Sequence, residues 1–160
     1  MKFWVAVFVV VAALAPAQQT NKYSGPRPPK PDVPFLLHAE RLVETESGEA
    51  SEEKRKDDMV AIMKGSTSPV KTPLPEPIFL FESQKIVPEK LQLFKLSVGK
   101  SGNREVVFGK KAKDSGRPIH LSFRKLDGTL YRIEAAEILD QGEYCLSPSG
   151  ANQVFCFQVF

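Results

Sequence analysis

The fold is decided by the last nineteen residues, Gly142-Glu-Tyr-Cys-Leu-Ser-Pro-Ser-Gly-Ala-Asn-Gln-Val-Phe-Cys-Phe-Gln-Val-Phe160. Two runs of alternating apolar residues flank a cluster of Ser, Pro, Gly and Asn, which is typical of a β-hairpin. Because side chains alternate between the faces of a strand, a tip at Gly150-Ala151 places Tyr144 opposite Phe157. The hairpin therefore has an aromatic face that other elements must cover.

The same register brings together the two cysteines of the chain. Cys145 and Cys156 fall opposite each other, on the face away from Tyr144 and Phe157. A cross-strand disulfide forms if the two Cα atoms approach within about 7 Å; otherwise the thiols fill space on a half-buried face. Their spacing is not that of a C-x-x-C motif, which argues against a thiol oxidoreductase.

Short apolar runs at regular intervals precede the hairpin and predict the strands that cover it. Such runs separated by Gly, Pro, Asn and Asp turns indicate an all-β fold. We predict an antiparallel two-sheet sandwich of immunoglobulin-like type, with a small β-barrel as the alternative. The predicted strands are 35–46, 59–63, 78–82, 91–98, 105–108, 119–125, 131–135 and the two of the hairpin.

Two segments carry further expectations about packing. Residues 47–58 contain no apolar side chain larger than Ala50, so they predict an exposed connection or a short solvated helix. In 91–98 the alternation puts Phe94, Leu96 and Val98 on one face. We expect that face to point into the core.

The turn after residues 119–125 is predicted from the pattern of its flanking strands. A three-residue loop at 126–128 pairs Phe123 with Tyr131 and keeps apolar side chains on one face. It also places Gly128 at the left-handed position that such loops require.

The N-terminus has the pattern of a secretory signal. Lys2 precedes the apolar run 3–14, and Ala15-Pro16-Ala17 fits the small-x-small cleavage pattern. The run is shorter than the about 20 apolar residues that a membrane span needs. We therefore predict a signal peptide at 1–17, cleaved after Ala17, and a secreted or periplasmic protein; retention of the segment as an anchor is the alternative.

The next segment, 18–34, is rich in proline. Proline fixes φ and removes a hydrogen-bond donor, so this composition predicts a disordered, extended linker. A single β domain is predicted from 35 to 160.

Charge is unevenly distributed along the chain. Residues 40–58 contain eight acids and four bases, whereas residues 85–125 contain eleven bases and three acids. A local excess of one sign attracts partners of the opposite sign. The candidate binding residues lie in two connections of the basic segment: Lys110, Lys111, Lys113 and Arg117 in one, Lys100 and Arg104 in the other.

The expected partner of these basic loops is an anionic polysaccharide, lipid headgroups or an envelope protein. Nucleic acid is disfavoured, because Phe94, Phe108 and Phe123 fall on the predicted core face rather than beside the charges. If the strands form hairpins, the turn 99–103 and the loop 110–117 lie at opposite ends, which favours the loop as the contact. The alternative is that the lysines serve solubility and protect strand edges.

No motif for catalysis, a cofactor or a metal occurs in the chain. We therefore predict no enzyme, no cofactor and no metal site. The competing hypothesis is a small secreted hydrolase or metal-dependent enzyme that uses His38, near Glu40 and Glu44, or His120.

The runs 69–82 and 142–160 resemble small exported bacterial proteins of uncharacterised function. Gly142-Glu143-Tyr144 followed by an apolar strand also resembles the last hairpin of immunoglobulin-like sandwiches. The resemblance implies a fold and brings no catalytic residues. We expect an exported, non-enzymatic binding or envelope-associated module; a structural accessory subunit that pairs through a sheet edge is another alternative.

Overall fold

The computed structural model of the chain describes residues 22–109 and 116–160. Within these ranges the chain forms strands and one short 3-10 helix at Pro88–Lys90, so the predicted all-β class is confirmed. None of the described helices is long and apolar enough to cross a membrane. The strands are β1 (Pro34–His38), β2 (Arg41–Glu44), β3 (Glu46–Glu49), β4 (Ser51–Arg55), β5 (Asp58–Met63), β6 (Lys71–Thr72), β7 (Ile78–Glu82), β8 (Leu91–Val98), β9 (Arg104–Phe108), β10 (Leu121–Asp127), β11 (Leu130–Ala135), β12 (Gly142–Pro148) and β13 (Gln153–Val159).

The strands form two sheets that pack as an antiparallel sandwich, as predicted. Sheet A has the order β10-β11-β7-β1-β2. Sheet B has the order β3-β13-β12-β8-β9-β5-β4, and the two-residue β6 pairs in parallel with β13 at Val159. The run 69–82 thus contributes one minor strand, β6, before β7 begins.

Sheet B curls into a half-barrel, because its two ends are consecutive segments of the chain. β3 pairs with β13 and β4 pairs with β5, and Ala50 is the single residue between β3 and β4. The Ala50 amide donates a 2.8 Å hydrogen bond to the Asn152 carbonyl. The pairings therefore lead around sheet B and return to the same stretch, 46–55. The molecule is thus a sandwich in which one sheet is a half-barrel, rather than the small barrel that was the alternative for the whole domain.

The main core lies between the sheets and contains the aromatic face of the final hairpin. Tyr144 pairs with Phe157, which confirms the predicted register. The Phe157 ring packs edge-on against Phe79, with centroids 5.1 Å apart, and stacks on Tyr144 at 5.7 Å. The other members of this cluster include Leu36, Phe81, Leu91, Leu93, Ile133, Leu146 and Phe155.

Two predictions about the strands are wrong. Residues 47–58 are not a connection or a helix but contain most of β3 and β4, because backbone pairing with β13 and β5 needs no large side chain. On β8, Leu91 and Leu93 face the core, whereas Phe94 and Leu96 face the concave side of sheet B. Val98, at the end of that strand, is 53% exposed.

The turn between β10 and β11 is confirmed in part. Gly128 has a left-handed φ of 52°, as expected. The predicted three-residue loop at 126–128 and its register are wrong, because only Gly128 and Thr129 lie between the strands and Phe123 pairs with Ile133 rather than with Tyr131. A bulge between Lys125 and Asp127 absorbs one residue, and Asp127 then pairs with Leu130. The observed pairing of Phe123 differs from the predicted one by two positions, so the apolar face predicted for both strands is kept.

The proline-rich segment contacts the sandwich over its described part. Arg27 forms ion pairs with Asp127 of β10 and, at 3.6 Å, with Glu82 of β7. Lys30 forms one at 2.8 Å with Glu44 of β2. Residues 22–33 therefore cross the outer face of sheet A. The prediction of an extended linker did not include this contact. The predicted signal peptide lies outside the described residues.

The structure joins Cys145 and Cys156, directly paired on β12 and β13, in a disulfide. The bond spans a sequence separation of 11, so its loss through Cys145→Ser with Cys156→Ser should lower the free energy of unfolding by about 2 to 3 kcal/mol. Alkylation under non-reducing denaturing conditions, followed by intact mass measurement, tests the bond directly. Two alkylated cysteines in protein taken from an oxidising compartment would contradict it.

Candidate functional site: an apolar groove in the half-barrel

The concave side of sheet B encloses a groove of about 270 Å³. Strands β4, β5, β8, β9, β12 and β13 and the tip of the final hairpin all contribute to its walls. The apolar lining residues are Ala50, Ala61, Met63, Phe94, Leu96, Val106, Phe108, Cys145, Pro148, Ala151 and Val154. The polar side chains of the lining are Glu52, Gln92, Ser147 and Asn152.

The groove exists because β8 and β12 carry apolar side chains on both faces. Successive side chains of a strand point to opposite sides, so Leu93 and Tyr144 enter the core while Phe94 and Cys145 enter the groove. A second apolar cluster forms there, separate from the main core: Met63, Cys145, Val154 and Cys156, with Ala50 and Leu96 packed against it.

β8 and β9 separate along one side of the groove. Their pairing is limited to Ser97 with Glu105 and Val98 with Arg104. Beyond it the rings of Phe94 and Phe108 meet edge to face, with centroids 5.5 Å apart. This geometry is favourable for aromatic pairs, and the rings close the gap between the separating strands.

A buried ion-pair cluster lies at the opposite end of β9. The Arg104 side chain is 1% exposed and donates hydrogen bonds of 2.7 and 2.8 Å to the carboxylate of Glu46 on β3. It also donates to the carbonyls of Gly65, at 3.1 Å, and Lys64, at 3.0 Å. The hydrogen bonds that Arg104 donates to Glu46 raise the pKa of Arg104 despite its burial. Burial alone would raise the pKa of Glu46, but the contacts with Arg104 outweigh it and lower that pKa.

Glu143 of β12 completes this cluster. Its carboxylate lies 3.6 Å from the Arg104 guanidinium. It accepts hydrogen bonds from the Thr67 hydroxyl, at 2.7 Å, and the Ser68 amide, at 2.9 Å. Every charge is therefore met by a partner, as buried ionised groups require.

Arg104 is thus not part of an exposed basic surface, and that prediction is wrong. Sequence pattern could not show this, because its partner Glu46 is 58 positions away in the chain. Lys110, Lys111 and Lys113 lie outside the described residues.

The two remaining candidates are both exposed, Lys100 in the turn between β8 and β9 and Arg117 beyond Gly116. β8 and β9 form an antiparallel hairpin, as expected, so Lys100 lies at one end of β9. Gly116 lies at the other end, because a Cβ added there would be 3.2 Å from the Phe108 Cα. The structure therefore does not bring Lys100 and Arg117 together in one patch.

The competing hypothesis of an enzyme site concerns the two histidines, His38 and His120. His38 Nε2 lies 3.0 Å from the hydroxyl oxygen of Thr72, and His120 is exposed just before β10. Among residues 22–109 and 116–160, no group of three or more His, Cys, Asp or Glu side chains is placed to hold a metal ion. The described part of the chain therefore assembles no metal site around either histidine.

Three polar side chains of the groove have no partner within the part of the chain that the structure describes. Glu52, Gln92 and Asn152 all line the groove, and none of their side chains forms a hydrogen bond or ion pair with another described residue. Ser147 differs, because its hydroxyl donates to the Gln153 carbonyl at 2.9 Å. The groove thus combines apolar walls with a few free polar groups.

Sequence reasoning missed this groove, although one signal was present. In 91–98 apolar residues occur at both parities, Leu91 and Leu93 at one and Phe94 and Leu96 at the other. Such a strand needs a second apolar environment on its outer side.

Comparisons with protein-family models, with curated proteins and with solved structures gave no significant match.

Proposed function

We propose that the chain is an exported, non-enzymatic binding module whose site is the groove of sheet B. The carrying observation is a concave, mostly apolar cavity in which Glu52, Gln92 and Asn152 have no partner among the described residues. Ligand sites are typically of this kind, with apolar walls and a small number of polar groups that orient the ligand.

The volume limits the size of the ligand. The groove of about 270 Å³ lies just below the range of about 300 to 1,000 Å³ for ligand pockets. An apolar cavity of about 150 Å³ is enough to hold benzene. The ligand we propose is therefore a compact molecule with one or two rings, rather than a polymer or a long lipid.

Export is part of the proposal and is supported by two features. The N-terminal pattern is that of a secretory signal, and the chain pairs Cys145 with Cys156. Disulfides persist in oxidising compartments.

An anionic partner at the basic loops is less well supported than a ligand in the groove. Arg104 is buried, and Lys100 and Arg117 lie at opposite ends of β9. Interactions between exposed charges decay over about 8 Å at physiological salt, so separated residues act as single charges rather than as a patch. The groove is for this reason the preferred site.

Filling the groove tests the proposal. We expect the folded protein to bind 2-naphthylmethanol saturably in titration calorimetry. Ala61 lines the groove, so Ala61→Phe should weaken binding at least about tenfold, which corresponds to about 1.4 kcal/mol. The matched control is Ala136→Phe, at an exposed position outside the lining, and it should leave binding unchanged.

Thermal melts of both variants establish that they are folded at the temperature of the titration. Absence of saturable binding to the unaltered chain would contradict the proposal. An equal loss in both Phe variants would also contradict it, because the loss would then not depend on the groove.

A further inference from the structure

The groove contains one ionisable side chain, Glu52, among its described lining residues. The nearby basic side chain on the same strand is already engaged, because Arg55 forms ion pairs with Glu53 at 3.2 Å and with Glu105 at 2.9 Å. Lys54 is exposed and does not line the groove. Glu52 therefore contributes a carboxylate that forms no ion pair with a described cation.

One further feature favours a positive ligand. The lining of the groove also contains the rings of Phe94 and Phe108. Aromatic faces attract cations through their quadrupole, so Glu52 and the ring pair select for the same charge.

We infer that the groove binds a compact aromatic molecule that carries an ammonium group, with the rings in the apolar part and the charge at Glu52. This inference rests on the proposed function and specifies its ligand class. Gln92 and Asn152 are left to accept hydrogen bonds from the ammonium N–H groups or from ring substituents.

Three probes with the same ring system separate charge from shape: 2-naphthylmethanol, protonated 2-naphthylmethylamine and 2-naphthoate. In titration calorimetry at pH 7 and low salt, we expect the ammonium probe to bind about three- to tenfold more tightly than the alcohol. The carboxylate should bind more weakly than the alcohol. Raising the salt concentration should reduce the preference for the ammonium probe, because Glu52 is exposed.

Glu52→Gln should abolish the ammonium preference, so that the ammonium and alcohol probes bind this variant with affinities within about twofold of each other, since the substitution removes the charge and keeps the shape. Lys54→Gln is the matched control on the same strand, and it should not lower the affinity for the ammonium probe. Both positions are exposed, so folding is expected to be unaffected in either variant.

The outcomes distinguish this inference from the proposed function. If none of the three probes binds, the groove is not a ligand site and both fail. If the alcohol binds but the ammonium probe binds no more tightly, or if Glu52→Gln keeps the preference, only the charge inference fails. Tighter binding of the carboxylate would overturn it as well, and would favour the basic loops as the source of affinity.

Discussion

Replacing Phe157 with Ala is expected to lower the free energy of unfolding by about 3 to 5 kcal/mol, the usual cost of removing a buried phenyl ring. Phe157 is fully buried, and its ring contacts Phe79 on sheet A and Tyr144 on sheet B. The substitution leaves a cavity between the two sheets, and surrounding side chains from two strands cannot easily collapse into it. Denaturant melts with the disulfide intact measure the loss.

Phe160→Ala is the matched control for this prediction. Phe160 lies three residues along the same end of the chain and is 58% exposed, so its truncation should change the free energy of unfolding by no more than about 0.5 kcal/mol. A similarly small change for Phe157→Ala would mean that the aromatic face of the hairpin does not form the core.

Replacing Arg104 with Met should also cost about 3 to 5 kcal/mol, because the substitution leaves buried carboxylates without their cation. The guanidinium holds Glu46 at 2.7 Å and Glu143 at 3.6 Å, and its own side chain is 1% exposed. Methionine keeps much of the side-chain volume, so the loss reports on charge rather than on packing. Chemical denaturation near neutral pH, where the carboxylates are ionised, measures it.

A second substitution and a control define the origin of that loss. Adding Glu46→Gln to Arg104→Met removes one unpaired charge and should recover part of the stability, which a double-mutant cycle quantifies. Arg55→Met removes an exposed arginine from the same half-barrel and should leave the denaturation midpoint nearly unchanged. Equal effects at Arg104 and Arg55 would show that the buried cluster is not important for stability.

The strands of the core were predictable because each contains a run of large apolar side chains. β7 and β8 have the predicted bounds, and the final hairpin has the predicted register at Tyr144 and Phe157. In the hairpin Gly150 marks the tip with a left-handed φ of 77°, and local pattern fixes both the face and the pairing. On β8 apolar residues occur at both parities, so the pattern predicted the bounds of the strand but not its core face.

The half-barrel was not predictable in the same way. β3 and β4 are polar, and they belong to sheet B through backbone hydrogen bonds, which leave no trace in the side-chain pattern. The partners of Arg27 and Arg104 also lie far away in sequence, at Asp127 and Glu46. Whether a basic residue is exposed or buried depends on such distant partners, so the candidate binding residues were less predictable than the strands.

The path of residues 46–55 also has a consequence for how sheet B is completed during folding. β3 pairs with β13, which is the last strand in sequence, although β4 pairs locally with β5. During synthesis β3 emerges from the ribosome long before β13. Sheet B therefore cannot be completed until residue 159 has been synthesised. Contacts between residues so far apart in sequence form slowly. We therefore expect folding in the range of about milliseconds to seconds. Until β13 pairs with it, β3 has an open edge. Its glutamates, Glu46 and Glu49, provide negative charge, which disfavours pairing of such an edge with another chain.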